Sequence, residues 1–211
     1  MKVIDLGRAL EDSMQVFPGD DAPVVERLDS CGCRSKKLTL STHTGTHMDA
    51  PAHMLRSGAT LDALAPERFF GFGFIVDVSG CAGREIEPAD LGLSAAELSA
   101  ADFLLLRTGF DAKFGTEAYF KNFPVLSARA ASFLAEQELK GVGVDAISVD
   151  YVESADSPVH QILLGAGLVI IENLTGLDRL PYKEPFCLMA LPMSIKEADG
   201  APARVMAVLE N

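Results

Sequence analysis

Tryptophan is absent from the 211 residues, and tyrosine occurs only three times. The aromatic content rests on twelve phenylalanines. A ring stacked in a binding site therefore lacks an indole N–H donor. Basic residues are few against acidic ones, 18 Lys and Arg facing 30 Asp and Glu, for a formal net charge of −12. The isoelectric point is near 4.7. Nothing supplies the basic stripe that a phosphate-backbone binder needs, or a surface that docks on anionic lipid. Nucleic acid and membrane are thus excluded as expected partners. Long apolar runs are missing too, and none approaches the roughly eighteen residues of a spanning helix. The opening Met1-Lys2-Val3-Ile4-Asp5 meets an acid too early for a signal peptide. A cytoplasmic location is the expectation.

Cysteine is sparse, with Cys31, Cys33, Cys81 and Cys187. Cys31-Gly32-Cys33 has no second close pair to complete a metal motif, so the reading is free or buried thiols. Apolar residues are plentiful. They make up 48% of the chain against 23% charged, which suffices for one packed core and excludes general disorder. A single domain over 1–211 is expected.

Short runs rich in Val, Ile, Leu and Phe read as strands at 3–6, 38–42, 72–78, 103–107, 142–149, 168–172, 186–191 and 204–209. Helical patterns are fewer. Residues 127–140 carry Leu126, Ala130, Phe133 and Leu134 along one face, with Ser127 as N-cap and Gly141 as stop. Residues 88–100 read as a second helix, and 159–165 as a short third one begun by Ser157-Pro158. Strands and helices mixed along the chain favour an α/β or mixed α+β fold.

Only four histidines occur, and three fall within eleven residues, as His43-Thr44-Gly45-Thr46-His47-Met48-Asp49-Ala50-Pro51-Ala52-His53. Thr, Gly and Pro make a helix a poor fit, and an extended or looped segment a good one. In an extended segment His47 and Asp49, two apart, face the same side. Imidazoles with a carboxylate form a first shell for Zn²⁺ or Mn²⁺ that leaves a position open.

The fourth histidine, His160, begins the short third helix. Twelve residues later the apolar run 167–171 ends in Glu172. A carboxylate at the tip of a buried strand is costly unless a cation or donors meet it. Five candidate ligands plus a base exceed one tetrahedral site. Two divalent ions are expected, although one remains possible. Asp145 and Asp150 are read as supporting or turn carboxylates, with direct ligation the alternative. Arg204 suits either a substrate carboxylate or a structural acid.

The H-T-G-T-H-x-D-x-P-x-H stretch at 43–53 resembles the signature of the cyclase family of metal-dependent hydrolases, which includes bacterial kynurenine formamidase and isatin hydrolase. Weaker likenesses run along the chain, at Phe17-Pro18-Gly19-Asp20, residues 143–150, residues 160–164, Ile171-Glu172-Asn173-Leu174 and Ala203-Arg204-Val205. The resemblance implies a swivelling β/β/α fold and a homodimer or larger homo-oligomer. It implies that His43, His47 and Asp49 bind one ion. Asp49 would bridge to a second ion held by His160 and Glu172, with Glu172 also reaching the first. His53 would be the general acid/base. Phe17 would line the substrate pocket, where formamidases often carry Trp.

The expected function is hydrolysis of an amide by metal-activated water. The first substrate is an aryl formamide, N-formylkynurenine going to kynurenine and formate in tryptophan catabolism. A cyclic amide of the isatin type is the alternative, or a cyclase reaction in secondary metabolism. A metal-binding protein without turnover is the competing class. It needs closed coordination, and His53 beyond a full ligand set speaks against it.

Overall fold

A computed structural model of the chain describes residues 1–30 and 32–209. Cys31 of the Cys31-Gly32-Cys33 pair lies outside the described residues. Among the described residues there are twelve strands: β1 (Lys2–Asp5), β2 (Val24–Ser30), β3 (Cys33–Thr39), β4 (His47–Asp49), β5 (Phe70–Asp77), β6 (Glu85–Ile86), β7 (Phe103–Arg107), β8 (Val125–Leu126), β9 (Gly141–Val144), β10 (Val169–Glu172), β11 (Phe186–Pro192) and β12 (Gly200–Leu209). Three α-helices join them: α1 (Ala95–Ala100), α2 (Ala128–Ala135) and α3 (Pro158–Gly165).

Eight strands form one sheet in the order β1-β12-β11-β5-β7-β9-β10-β4, and β12 also pairs with β4. That last pairing closes a barrel, with β1 appended to β12. The closure sets Gly200, Ala201 and Pro202 against Asp49, Met48 and His47. The run β5-β7-β9-β10 is parallel, and the remaining ladders of the sheet are antiparallel. Strand β7 shows why. Its residues Phe103 and Leu105 point into the barrel core, beside Ile75, Val169 and Leu188. Leu104 and Leu106 point outward into a second core, beside Ala130, Leu134 and Leu163 of α2 and α3. A strand covered on both faces carries an unbroken apolar run. The result is a mixed α/β fold around a closed barrel, in agreement with the β/β/α expectation.

Covering is one-sided. The helices lie over the parallel half. On the antiparallel half Val3, Phe70, Phe72, Leu191 and Met193 remain exposed, together with Cys187. No described helix is long and apolar enough to cross a membrane.

Several expected elements differ in extent. The helix expected over 88–100 is two pieces, a single 3-10 turn at Pro88–Leu91 and then α1. Gly92 between them adopts φ +57°. Ser94 then starts a new helix through a reciprocal cap with Glu97. The helix expected over 127–140 stops at Ala135. Ser127 does cap it, with Oγ accepting from the Ala130 amide at 3.1 Å. Its expected tail is drawn into the sheet instead, where the Lys140 amide donates to the Asp102 carbonyl at 2.7 Å.

The strand expected over 142–149 ends at Val144. Asp145 there turns to accept the Thr108 and Gly109 amides. Buried loop residues 146–149 are as apolar as a strand, so pattern alone does not separate them. The strand expected at 38–42 is the end of β3, which forms a hairpin with β2. Every β3 residue is exposed, so no alternation marks it in the sequence.

Candidate metal centre

His47 and Asp49 lie on β4, where the period of two sends both side chains out of the barrel while Met48 fills its core. Strand β10 is the antiparallel neighbour of β4, and its register sets Glu172 opposite His47. Helix α3 brings His160 over the same spot. Four buried groups therefore converge. The His47 Nε2 stands 3.3 Å from Asp49 Oδ1 and 3.5 Å from Glu172 Oε2. The His160 Nε2 stands 3.3 Å from Glu172 Oε1 and 3.7 Å from Asp49 Oδ2.

Both imidazoles are held from behind. His47 Nδ1 donates to the Gly45 carbonyl at 2.9 Å. A carbonyl only accepts, so in the neutral ring the lone pair lies on Nε2, facing the carboxylates. Gly45 makes this turn at φ +68°, and its carbonyl also accepts from the Asn173 side chain. His160 Nδ1 donates to Asp150 at 2.7 Å, and its Nε2 again faces the centre.

His43 sits at the outer side. Its Nδ1 is 2.8 Å from Asp49 Oδ1, and its Nε2 is 3.0 Å from Asp199 Oδ2. A Cβ at position 200 would lie 2.5 Å from the His43 ring, so glycine is required where β12 begins. The His53 ring stacks obliquely on His43, with centroids 4.0 Å apart, and its Nδ1 is 3.2 Å from the same Asp199 oxygen.

Charge is concentrated here. Burial disfavours the protonated His43, but the hydrogen bonds and charges of Asp49 and Asp199 outweigh it and raise its pKa to about 9. His160 is raised to about 10 against its burial, by Asp150, Glu172 and Asp49. His47 is raised in the same way by Asp49 and Glu172. Asp49, although fully buried, is held well below the usual carboxylate range by His47 and His43.

The fit to a divalent ion rests on one atom. Asp49 Oδ2 is buried and has no hydrogen-bond donor. A buried carboxylate oxygen left without a donor is costly, and a cation would satisfy it. Donor atoms of His47, Asp49 and Glu172 lie within 4.8 Å of one another, as do those of His43, Asp49 and His53. Imidazole with carboxylate suits Zn²⁺ and Mn²⁺ alike.

All six residues expected from the sequence, His43, His47, Asp49, His53, His160 and Glu172, line one cavity of about 280 Å³, as does Phe17. Ser148, Tyr151, Ser154 and Ser157 contribute hydroxyls to its walls. Among the described residues lining it there is no Lys or Arg.

The other acids and Arg204 resolve by geometry. Asp150 serves His160 and the start of α3. Asp145 is spent on the Thr108 and Gly109 amides and does not line the cavity. Arg204 pairs with Asp5 at 2.6 Å on the exposed side of β12, so it faces a structural acid. Asp199 was not singled out from the sequence. It lies 146 residues from His53, and only barrel closure brings them together.

The chain is similar to known proteins along most of its length. The family described as "Putative cyclase" matches residues 4–151. Kynurenine formamidase of Bacillus cereus is 33% identical over 210 residues, covering 96% of this chain and 95% of that protein. Among solved structures, isatin hydrolase A from Ralstonia solanacearum is 27% identical with a TM-score of 0.86, covering 99% of this chain and 92% of the other. Isatin hydrolase A from Labrenzia aggregata, bound to benzyl benzoate, is 26% identical with a TM-score of 0.87, covering 100% and 94%.

Proposed function

The chain belongs to the cyclase family of metal-dependent hydrolases, and from that premise we propose that it opens a small, neutral, cyclic aromatic amide of the isatin type. Its clustered His, Asp and Glu side chains and its likeness to hydrolase structures make it an enzyme of the metal-dependent hydrolase class. The observation that carries the substrate reading is the cavity wall. At about 280 Å³ it is at the small end for ligand sites, and no described lining residue is Lys or Arg. N-formylkynurenine bears a free amino-acid carboxylate, which would find no Lys or Arg side chain there. A neutral bicyclic amide needs none. The aryl formamide is the second reading, supported by 33% identity to a kynurenine formamidase over nearly the whole chain.

In this proposal His43, His47 and Asp49 hold one ion. His160 and Glu172 would complete the set of side chains that could hold a second. A divalent ion supplies Lewis acidity, which brings the pKa of water towards neutrality and polarises the amide carbonyl. The chain's own residues do the rest. His53 stands at the cavity side with Nδ1 tied to Asp199, and its other nitrogen takes the proton of the attacking water. The new C–O bond forms, the C–N bond breaks, and His53 returns the proton to the leaving nitrogen. Phe17 offers an apolar surface to the aromatic ring.

The homodimer is proposed to use the bare face of the antiparallel half. Val3, Phe70, Phe72, Leu191 and Met193 form its apolar surface. A standard interface takes about 800 Å² from each partner, and five large, half-exposed side chains supply much of that. The Asp5–Arg204 pair on this face carries both signs, so a two-fold axis could exchange them between copies. Light scattering of the wild type and of F72E checks this, and a monomer in both refutes it.

The deciding experiment assays isatin and N-formylkynurenine on protein loaded with Zn²⁺ or Mn²⁺. A kcat/KM above about 10⁴ M⁻¹s⁻¹ for isatin supports the first reading. The same value for N-formylkynurenine alone replaces it with the second.

A further inference from the structure

We infer that Asp199 is the positioning residue for His53, holding it in the tautomer whose Nε2 is free to accept a proton. The inference rests on the hydrolase reading above and deepens it. Asp199 immediately precedes β12. Its backbone carbonyl accepts the Ala50 amide at 2.8 Å, which ties it to the segment that carries the histidines. Its carboxylate is shared among three donors. Oδ1 faces Thr42 Oγ1 at 3.2 Å, and Oδ2 faces His43 Nε2 at 3.0 Å and His53 Nδ1 at 3.2 Å.

A carboxylate can only accept, so the His53 Nδ1 must carry the hydrogen, and in the neutral ring the lone pair then lies on Nε2. The two histidines differ in their dependence on it. His43 has a second anchor in Asp49 at 2.8 Å. For His53, Asp199 is the one side-chain hydrogen-bond partner among the described residues. Asp199 is 43% exposed, so its effect is mainly geometric, because solvent screens its charge. Removing it should release His53 to rotate and to mix tautomers while His43 stays in place.

The test is long-range imidazole ¹H–¹⁵N NMR on zinc-loaded protein, with His53 assigned through H53Q. Wild type should show His53 as the Nδ1–H form. D199A should show mixed or exchanged tautomers, with zinc content unchanged. On whichever amide the wild type hydrolyses, kcat should fall about 10- to 100-fold with KM nearly constant. D199E should restore part of both signals. D199N, nearly isosteric, serves if D199A does not fold, and it should disturb the His53 tautomer because its amide can donate to Nδ1. An unchanged His53 spectrum in the folded variants overturns the inference. So does loss of zinc in step with activity, which would place the role of Asp199 at His43. The tautomer readout needs no substrate, so it still decides if neither amide is hydrolysed.

Discussion

His160 Nδ1 donates to Asp150 at 2.7 Å, and the same carboxylate caps α3 by accepting the Val159 and His160 amides at 3.0 Å each. Ser157, at the expected entry of this helix, adopts φ +43° and makes no side-chain cap bond. One residue thus starts the helix and aims its histidine.

Replacing Asp150 by Ala therefore acts twice. Loss of the cap should cost about 1 kcal/mol of stability. Loss of the imidazole partner should weaken metal affinity about 10- to 100-fold. Chelator competition on folded D150A separates the two. Unchanged affinity would reduce Asp150 to a helix cap.

The proposed roles of His53 and Glu172 predict opposite phenotypes. H53A should keep its metal and lose about 10²- to 10⁴-fold in turnover. Glu172 faces both His47 and His160, so E172Q should lose metal first and activity as a consequence. Elemental analysis beside kcat measures both. Metal loss in H53A would make His53 a ligand.

The raised histidines set the pH dependence. His43 at about 9 and His160 at about 10 are protonated at neutral pH in the metal-free protein. A protonated imidazole cannot ligate, so metal uptake at pH 7 should release protons, and affinity should climb as pH rises towards 9–10. The stability sign follows. A folded pKa above the unfolded 6.5 gives stabilisation that is full below 6.5 and lost as pH rises through 9–10. The thermal midpoint of metal-free protein should therefore fall across that window, and that of loaded protein should not. Weakly buffered calorimetry and melts at stepped pH check both.

Gly58 supports the turn that carries His53. A Cβ there would overlap the Pro51 carbonyl carbon and lie 2.6 Å from the Ala52 amide nitrogen. Backbone cannot rotate away as a side chain can. G58A should lose about 1–3 kcal/mol and shift His53, lowering both the melting temperature and kcat. Normal activity in a stable G58A would show that the turn tolerates displacement.

Much of the centre was legible locally. His47 and Asp49 share a side because an extended chain alternates, whatever surrounds it. Three of four histidines within eleven residues already marked a candidate site. The apolar runs marked β7 and β10 because these strands are buried on both faces, and β5 and β11 because their uncovered face carries apolar residues as well. The β2–β3 hairpin escaped because it buries almost nothing, and an exposed strand leaves no alternation. The division at Gly92 escaped because a helical periodicity continues across a left-handed turn when the residues on both sides are apolar.

The sequence by itself determined the kinds of donor and their local order, since bond geometry over two to ten residues is nearly independent of the rest of the chain. Tertiary structure alone decided which distant groups meet them. The β4–β10 register set Glu172 opposite His47, and barrel closure through β12 brought Asp199 to His43 and His53. Contacts between residues more than a hundred positions apart depend on sheet order and closure, and neither leaves a periodic trace in the chain.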